Sequence, residues 1–160
     1  MSLRVGLGYD VHRVKAGRPL VLGGVRFESD WGLEGHSDAD VLLHAVGDAL
    51  LGAAGLGDLG EHFPAGDPKW KNASSMDLLK RITALLAERD ARVENVDVML
   101  VAEAPKLAPH RAAMCANIAG AIGVTPDRVS VKATTNETLG AIGRREGLAA
   151  FAVALVERRG

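Results

Sequence analysis

Two histidines and an aspartate near the start of the chain have the types and spacing of a metal site. Gly8 to His12 reads GYDVH, and Gly35 to Phe63 reads GHSDADVLLHAVGDALLGAAGLGDLGEHF. Side chains two apart in an extended run point the same way, so Asp10 and His12 share a face. His44 falls on one helix row with Asp40 and Asp48, four residues before and four after it. Two imidazoles and a carboxylate suit zinc, and three protein ligands leave a fourth position open for substrate, as in catalytic zinc sites. A ligating imidazole usually donates its second N–H to an acceptor, and Asp48 is the candidate for that role. The competing readings are plain: Asp10 and His12 shape a turn, and Asp40 and Asp48 solvate an exposed helix face.

A second polar group lies far downstream, in Lys132-Ala133-Thr134-Thr135-Asn136-Glu137. Hydroxyls and turn N–H groups suit phosphate oxygens, and a lone carboxylate among them suits magnesium bridging phosphates. A polar loop whose threonines cap themselves explains the same letters equally well. Gly55 to Gly60 matches GxGxxG, but a helical pattern precedes it and a proline-containing loop follows, the reverse of the dinucleotide fingerprint. No GxxxxGK[ST] occurs. His62 and His110 have no polar company and are assigned to the surface.

The elements that must position these groups follow from periodicity. Leu3 to Tyr9 alternates as a strand delivering Asp10 and His12 at its end. Pro19 to Phe27, with Gly23-Gly24 between short apolar runs, signals a hairpin at a sheet edge. Ser37 can cap a helix from Asp38 to about Ala54, ended by Gly55. Gly60 to Ser75 is a long loop, of the kind that is usually functional or mobile. Helices are expected over Met76 to Arg89, with Ser74 as cap, and over Pro109 to Ile122. Strands are expected over Val96 to Glu103, Val129 to Thr134 and Leu148 to Val156, with a polar loop from Thr134 to Glu146.

The last strand, LAAFAVALV, is apolar on both faces and must be covered on both. Three helices cover only one face of a four-stranded sheet, so the other face is expected to pack on another subunit. At 160 residues, 48% hydrophobic, the chain suits one domain spanning residues 1–160. Nineteen basic against 20 acidic residues give a net charge of -1. With no basic cluster, nucleic-acid and membrane-surface roles have little support. A single Cys115 and the absence of a signal-like or 18-residue apolar run point to a cytoplasmic protein.

Three separated motifs, GYDVHR, GHSDADVLLHAVGDALLGAAGLGDLGEHFP and VKATTNETLGAIGRREG, occur in an order similar to that of the 2-C-methyl-D-erythritol 2,4-cyclodiphosphate synthases. The resemblance runs over essentially the whole chain. It implies a ferredoxin-like α+β fold, homotrimers with active sites between subunits, and cyclisation of a cytidine diphosphate-linked substrate with loss of CMP. It also implies Zn2+ on Asp10, His12 and His44, and Mg2+ or Mn2+ on Glu137 with the substrate phosphates. Asp58, Leu59 and Gly60, with Phe63, Pro64, Ala65, Gly66 and Asp67, would contact the methylerythritol part. His36 and Ser37 would face the phosphates, and His36 and Thr135 match the catalytic positions. Ala102, Lys106, Leu107 and Ala108, with Ala133 and Thr134, match the cytidine pocket, adjoined by Asn136.

Two departures stand out. Phe63-Pro64-Ala65-Gly66-Asp67 lacks a carboxylate that relatives often carry, so sugar contacts there fall to backbone groups. Ala141 replaces an aromatic, which weakens the case for a prenyl diphosphate held in a trimer cavity by Arg144. Two other functions compete: a zinc-dependent phosphohydrolase with Asp58 or His36 as base, and a non-catalytic nucleotide or prenyl-diphosphate sensor.

Overall fold

In the computed structural model, which describes residues 1–159, glycine makes the closest contact of the first strand. β1 (Ser2–Ala16) does alternate, but its outward residues are the large ones: Leu3, Val5 and Leu7 are 67%, 69% and 70% exposed, while Gly6 and Gly8 are buried. A Cβ on Gly8 would lie 2.8 Å from the Ala49 nitrogen and 2.9 Å from the Ala45 carbonyl carbon of α1 (Val41–Ala54). Neither is a side chain that could swing aside, so glycine is what lets the helix settle onto the strand. Asp10 and His12 continue the same inward row, facing α1.

Downstream come β2 (Leu20–Leu22), β3 (Val25–Phe27) and β4 (Trp31–Leu33), then, after α1, α2 (Leu59–His62), α3 (Ser75–Ala87), β5 (Ala91–Val101) and α4 (Arg111–Ile122). The chain finishes with β6 (Val129–Thr134), α5 (Gly140–Gly143) and β7 (Gly147–Arg158). The main sheet runs β4-β1-β7-β5-β6, antiparallel except for the parallel β5–β6 pair. It therefore has five strands and not the expected four. The added strand pairs Trp31–Leu33 with the far end of β1 and, with only three residues around a glycine, carries no readable period.

The expected hairpin forms, with Gly23 and Gly24 at φ of 58° and 73° in the left-handed region that tight hairpin turns require. It makes its own two-stranded sheet instead of an edge of the main one. Its turn is held from a distance. Asp40, fully buried, accepts from the N–H groups of Gly23 (3.0 Å) and Gly24 (2.8 Å) and caps α1 through Leu43 N–H (3.2 Å). Asp40, not Ser37, is thus the N-cap, and α1 starts three residues later than its apolar pattern suggests. Burial pushes the Asp40 carboxyl up to about 6 against the pull of those N–H bonds. It does not solvate an exposed face.

α1, α3 and α4 pack against the sheet and one another, and β7 points Ala150, Ala152, Ala154 and Val156 into that core. Beyond β1, the other sheet face shows Phe151 and Val153, 42% and 44% exposed. His110 is half-buried, its ring 4.6 Å from that of Phe27, so its surface assignment was too simple. Cys115 is half-buried against the core and unpaired. Among the described residues no helix is long and apolar enough to cross a membrane.

Candidate metal centre

The end of the β1 inward row meets one turn of α1. Asp10 Oδ2 lies 2.8 Å from His12 Nε2 and 3.0 Å from His44 Nδ1, and the two ring nitrogens are 3.2 Å apart. A tetrahedral ion with bonds of about 2.0–2.1 Å spaces its ligands roughly 3.3–3.4 Å apart, so this triangle is a slightly contracted face of such a site. Among the described residues it is the one cluster of three donors close enough to share an ion. The donor set and its spacing fit zinc.

Electrostatics point the same way. Burial alone would raise the Asp10 carboxyl, but the hydrogen bonds and charges of His12 and His44 outweigh it and hold the group well below the usual carboxylate range. Burial alone would lower His12, yet bonding to Asp10 raises it. A carboxylate kept ionised beside two ring nitrogens makes a place that a cation can take.

Each imidazole is fixed by its outer nitrogen. His12 Nδ1 is 2.7 Å from the Glu34 carbonyl, which accepts its N–H and leaves Nε2 for the ion. His44 Nε2 is 2.9 Å from Ser75 Oγ and 3.1 Å from Ser37 Oγ. Asp48, expected in that role, accepts instead from Leu59 N–H at 3.0 Å and so anchors the turn after α1. Burial raises its carboxyl.

The triangle opens into a cleft of about 340 Å³ lined by His36, Ser37, Asp58, Leu59, Gly60, Phe63 and Ala65, and also by Tyr9, Trp70 and Leu78. Gly55 (φ 69°) caps α1 and Asp58 caps α2 through Glu61 N–H, so the GxGxxG letters serve a helix–turn–helix passage. His62 Nε2 lies 2.7 Å from the Leu56 carbonyl, which ties it inside this turn and not to open surface. The long loop is pinned as well: His36 Nε2 sits 3.2 Å from the Asp67 carbonyl, Asn72 N–H bonds the His36 carbonyl, and Phe63 meets Trp70 edge to face at 4.9 Å. Pro64 and Gly66 stand exposed at its rim.

The downstream residues are not in this cleft. Ala102 N–H bonds the Thr134 carbonyl, and Glu103 accepts from Asn136 N–H (3.0 Å) and Thr138 N–H (2.8 Å), clamping the loop that carries Thr135 and Glu137. Nothing in the letters around Glu103 marked it for this. Glu137, at φ 52°, Thr134, Ala133 and Lys106 are exposed, while Ala102 and Leu107 are buried; Ala108 is exposed beside them. Arg144 bonds Glu146 at 3.1 Å. The two groups still belong to one end of the sheet. Val11 pairs with Ala149, Ala149 with Val101, and Val101 with Thr134, a single cross-strand row. Three strand spacings put its ends about 14 Å apart.

A metal-dependent α+β enzyme with an open three-donor centre at one end of a mixed sheet is the class these features define. The chain belongs to the YgbB family, which it matches over residues 3–157. It is 61% identical over 155 residues to the 2-C-methyl-D-erythritol 2,4-cyclodiphosphate synthase of Symbiobacterium thermophilum, covering 97% of this chain and 99% of that one. Among solved structures it resembles the bifunctional IspDF of Campylobacter jejuni, with a TM-score of 0.95 and 44% identity over 99% of this chain, which spans 43% of that longer chain. It also resembles the CDP complex of Plasmodium falciparum IspF, with a TM-score of 0.86 and 31% identity over 99% of this chain and 98% of that one.

Proposed function

We propose that this chain converts 4-diphosphocytidyl-2-C-methyl-D-erythritol 2-phosphate to 2-C-methyl-D-erythritol 2,4-cyclodiphosphate and CMP. The observation that carries this is the Asp10, His12 and His44 triangle opening on the Asp58-Leu59-Gly60 turn, in a chain so similar to named synthases. An oxygen of the 2-phosphate attacks the β-phosphorus, the bond from that phosphorus to the CMP oxygen breaks, and CMP leaves with the electron pair. The nucleophile is already ionised near neutral pH, so no side chain need act as base. Bending the substrate back on itself is the main task, and holding reacting atoms together is worth on the order of 7–11 kcal/mol.

His36, Ser37 and the Asp58 to Gly60 turn grip the methylerythritol phosphate end, while Ala102 to Ala108 and Ala133 to Asn136 take the cytidine diphosphate end. His36 and Thr135 offer polar groups where charge develops. Asp10, His12 and His44 would hold zinc, and Glu137 would hold magnesium or manganese with the substrate phosphates; such ions would supply Lewis-acid neutralisation of phosphate charge. Glu137 is the one carboxylate in the run Lys132 to Glu137, which suits an ion completed by the substrate. A substrate gripped at both ends needs both residue groups, and one chain holds them about 14 Å apart along the sheet end. That separation, and the uncovered apolar sheet face, favour a homotrimer whose cleft is completed by a neighbour. One domain, 1–160, in the cytoplasm agrees with the composition.

The test is direct: purified protein, cytidyl substrate, zinc and magnesium, with CMP and cyclic diphosphate followed by phosphorus NMR in oxygen-18 water. Unlabelled cyclic product with CMP supports cyclisation. Labelled, ring-open phosphate would replace it with the phosphohydrolase, and binding of CDP without turnover would replace it with a sensor.

A further inference from the structure

Two residues that the proposed reaction leaves without a role, Asp38 and Ser75, stand behind the outer nitrogen of His44. Asp38 receives Ser75 N–H at 2.9 Å on Oδ2, and its Oδ1 accepts both from Asp40 N–H at 3.1 Å and from the Ser75 hydroxyl. A carboxylate offers no hydrogen, so the single hydroxyl proton of Ser75 is committed to Asp38. With its proton spent there, Ser75 Oγ can only accept from its other neighbour, His44 Nε2 at 2.9 Å. Nε2 must then carry the imidazole hydrogen. In the neutral ring that leaves the lone pair on Nδ1, the atom that stands 3.0 Å from Asp10 and 3.2 Å from His12.

We infer that Asp38 and Ser75 form a positioning relay that sets the His44 tautomer and aims Nδ1 at the metal. This rests on the metal reading of the site. Ser75 is 1% exposed, out of reach of substrate, so its hydroxyl acts through His44 alone. Ser37 Oγ, 3.1 Å from the same Nε2, accepts Ala39 N–H at 3.2 Å. Since Ser75 is the nearer acceptor for the one imidazole hydrogen, the Ser37 hydroxyl keeps its own hydrogen for a phosphate oxygen in the cleft it lines. The relay thus assigns the two serines different jobs although both touch one nitrogen.

Zinc affinity by chelator competition tests this without reference to turnover. Ser75→Ala removes the hydroxyl but keeps the Ser75 N–H bond to Asp38, so the zinc-free protein should unfold at the wild-type urea concentration while zinc binding weakens ~10-fold or more. Ser75→Thr, which restores the hydroxyl, should recover most of it. Asp38→Asn, which keeps the shape and presents an amide hydrogen to one of the relay donors, should weaken zinc in the same direction. In zinc-loaded wild type the Nε2–H of His44 should give a slowly exchanging proton–nitrogen cross-peak, lost in Ser75→Ala. Wild-type zinc affinity in Ser75→Ala with an unchanged cross-peak overturns the relay alone. Failure of wild type to bind zinc overturns the metal reading and the relay with it. A loss of zinc affinity matched by an equal loss of zinc-free stability makes Ser75 merely structural, and also overturns it.

Discussion

Gly8→Ala is the sharpest test of how this fold makes its site, because one methyl group must act on both stability and metal binding. The new Cβ would come within 2.8 Å of the Ala49 nitrogen and 2.9 Å of the Ala45 carbonyl carbon, and nearer still to the Ala45 oxygen. These are backbone atoms in the middle of α1, so the helix must lift as a body. Overpacking typically costs 1–3 kcal/mol, and with no side chain able to yield the expected loss is about 3 kcal/mol. His44 is the neighbour of Ala45, so lifting α1 by roughly 1 Å would stretch the 3.0 and 3.2 Å edges of the triangle past what one ion can span, and such a misplacement can cost on the order of 100-fold in function. Gly52→Ala is the control in the same helix: it is exposed, a Cβ there meets nothing within 4 Å, and it should gain about 0.5–1 kcal/mol from helix propensity. Urea unfolding of the zinc-free proteins and zinc titration read both effects. A Gly8→Ala protein within about 0.5 kcal/mol of wild type, with unaltered zinc affinity, would refute the close-approach argument.

Other outcomes can be checked independently. His44→Ala should lose tight zinc binding and bring CMP release to background, whereas near-normal release from that variant without metal would overturn the mechanism. Asp40 is raised from 3.8 to about 6 in the fold, so the folded state takes up its proton more readily than the unfolded one. Its stabilising contribution is therefore greatest below about pH 4 and is lost as pH rises through about 6; relative to Asp40→Asn, wild type should lose up to about 1.4 kcal/mol per pH unit across that window in urea melts, and parallel curves would contradict it. Leu7→Glu places a charge on the apolar outer sheet face and should give a monomer by light scattering with an unchanged circular dichroism spectrum; a wild-type protein already monomeric at micromolar concentration would rule out the trimer. Glu103→Gln should loosen the Thr135 to Thr138 loop and raise KM for the cytidyl substrate several-fold while zinc binding stays the same, and unchanged kinetics would show the clamp to be incidental.

Most of the elements could be read from the chain, because period-two and helical patterns, Gly55 at a helix end and Gly23-Gly24 at a hairpin are local signals. β4, α2 and α5 could not, since three or four residues carry no period, and the two short helices lie in or at the edge of stretches expected as loops. The pairing of Asp10 and His12 with His44 was legible from residue type and spacing. Their outer partners were not: Glu34 and Ser75 reach the imidazoles, and Asp38 reaches Ser75, through contacts that no local pattern encodes, while Asp48, the carboxylate that helical spacing put forward, turns to Leu59 instead. By itself the sequence determined the ligand types, the family and the order of the longer strands and helices, since each is written in neighbouring residues. Tertiary structure alone decided that the glycines of β1 and not its leucines face the helix, which nitrogen each histidine turns inward, and that the cleft beside Asp58 and the loop of Thr135 and Glu137 lie apart in one chain. Those outcomes depend on how backbones approach across the core, a distance that no stretch of consecutive residues contains.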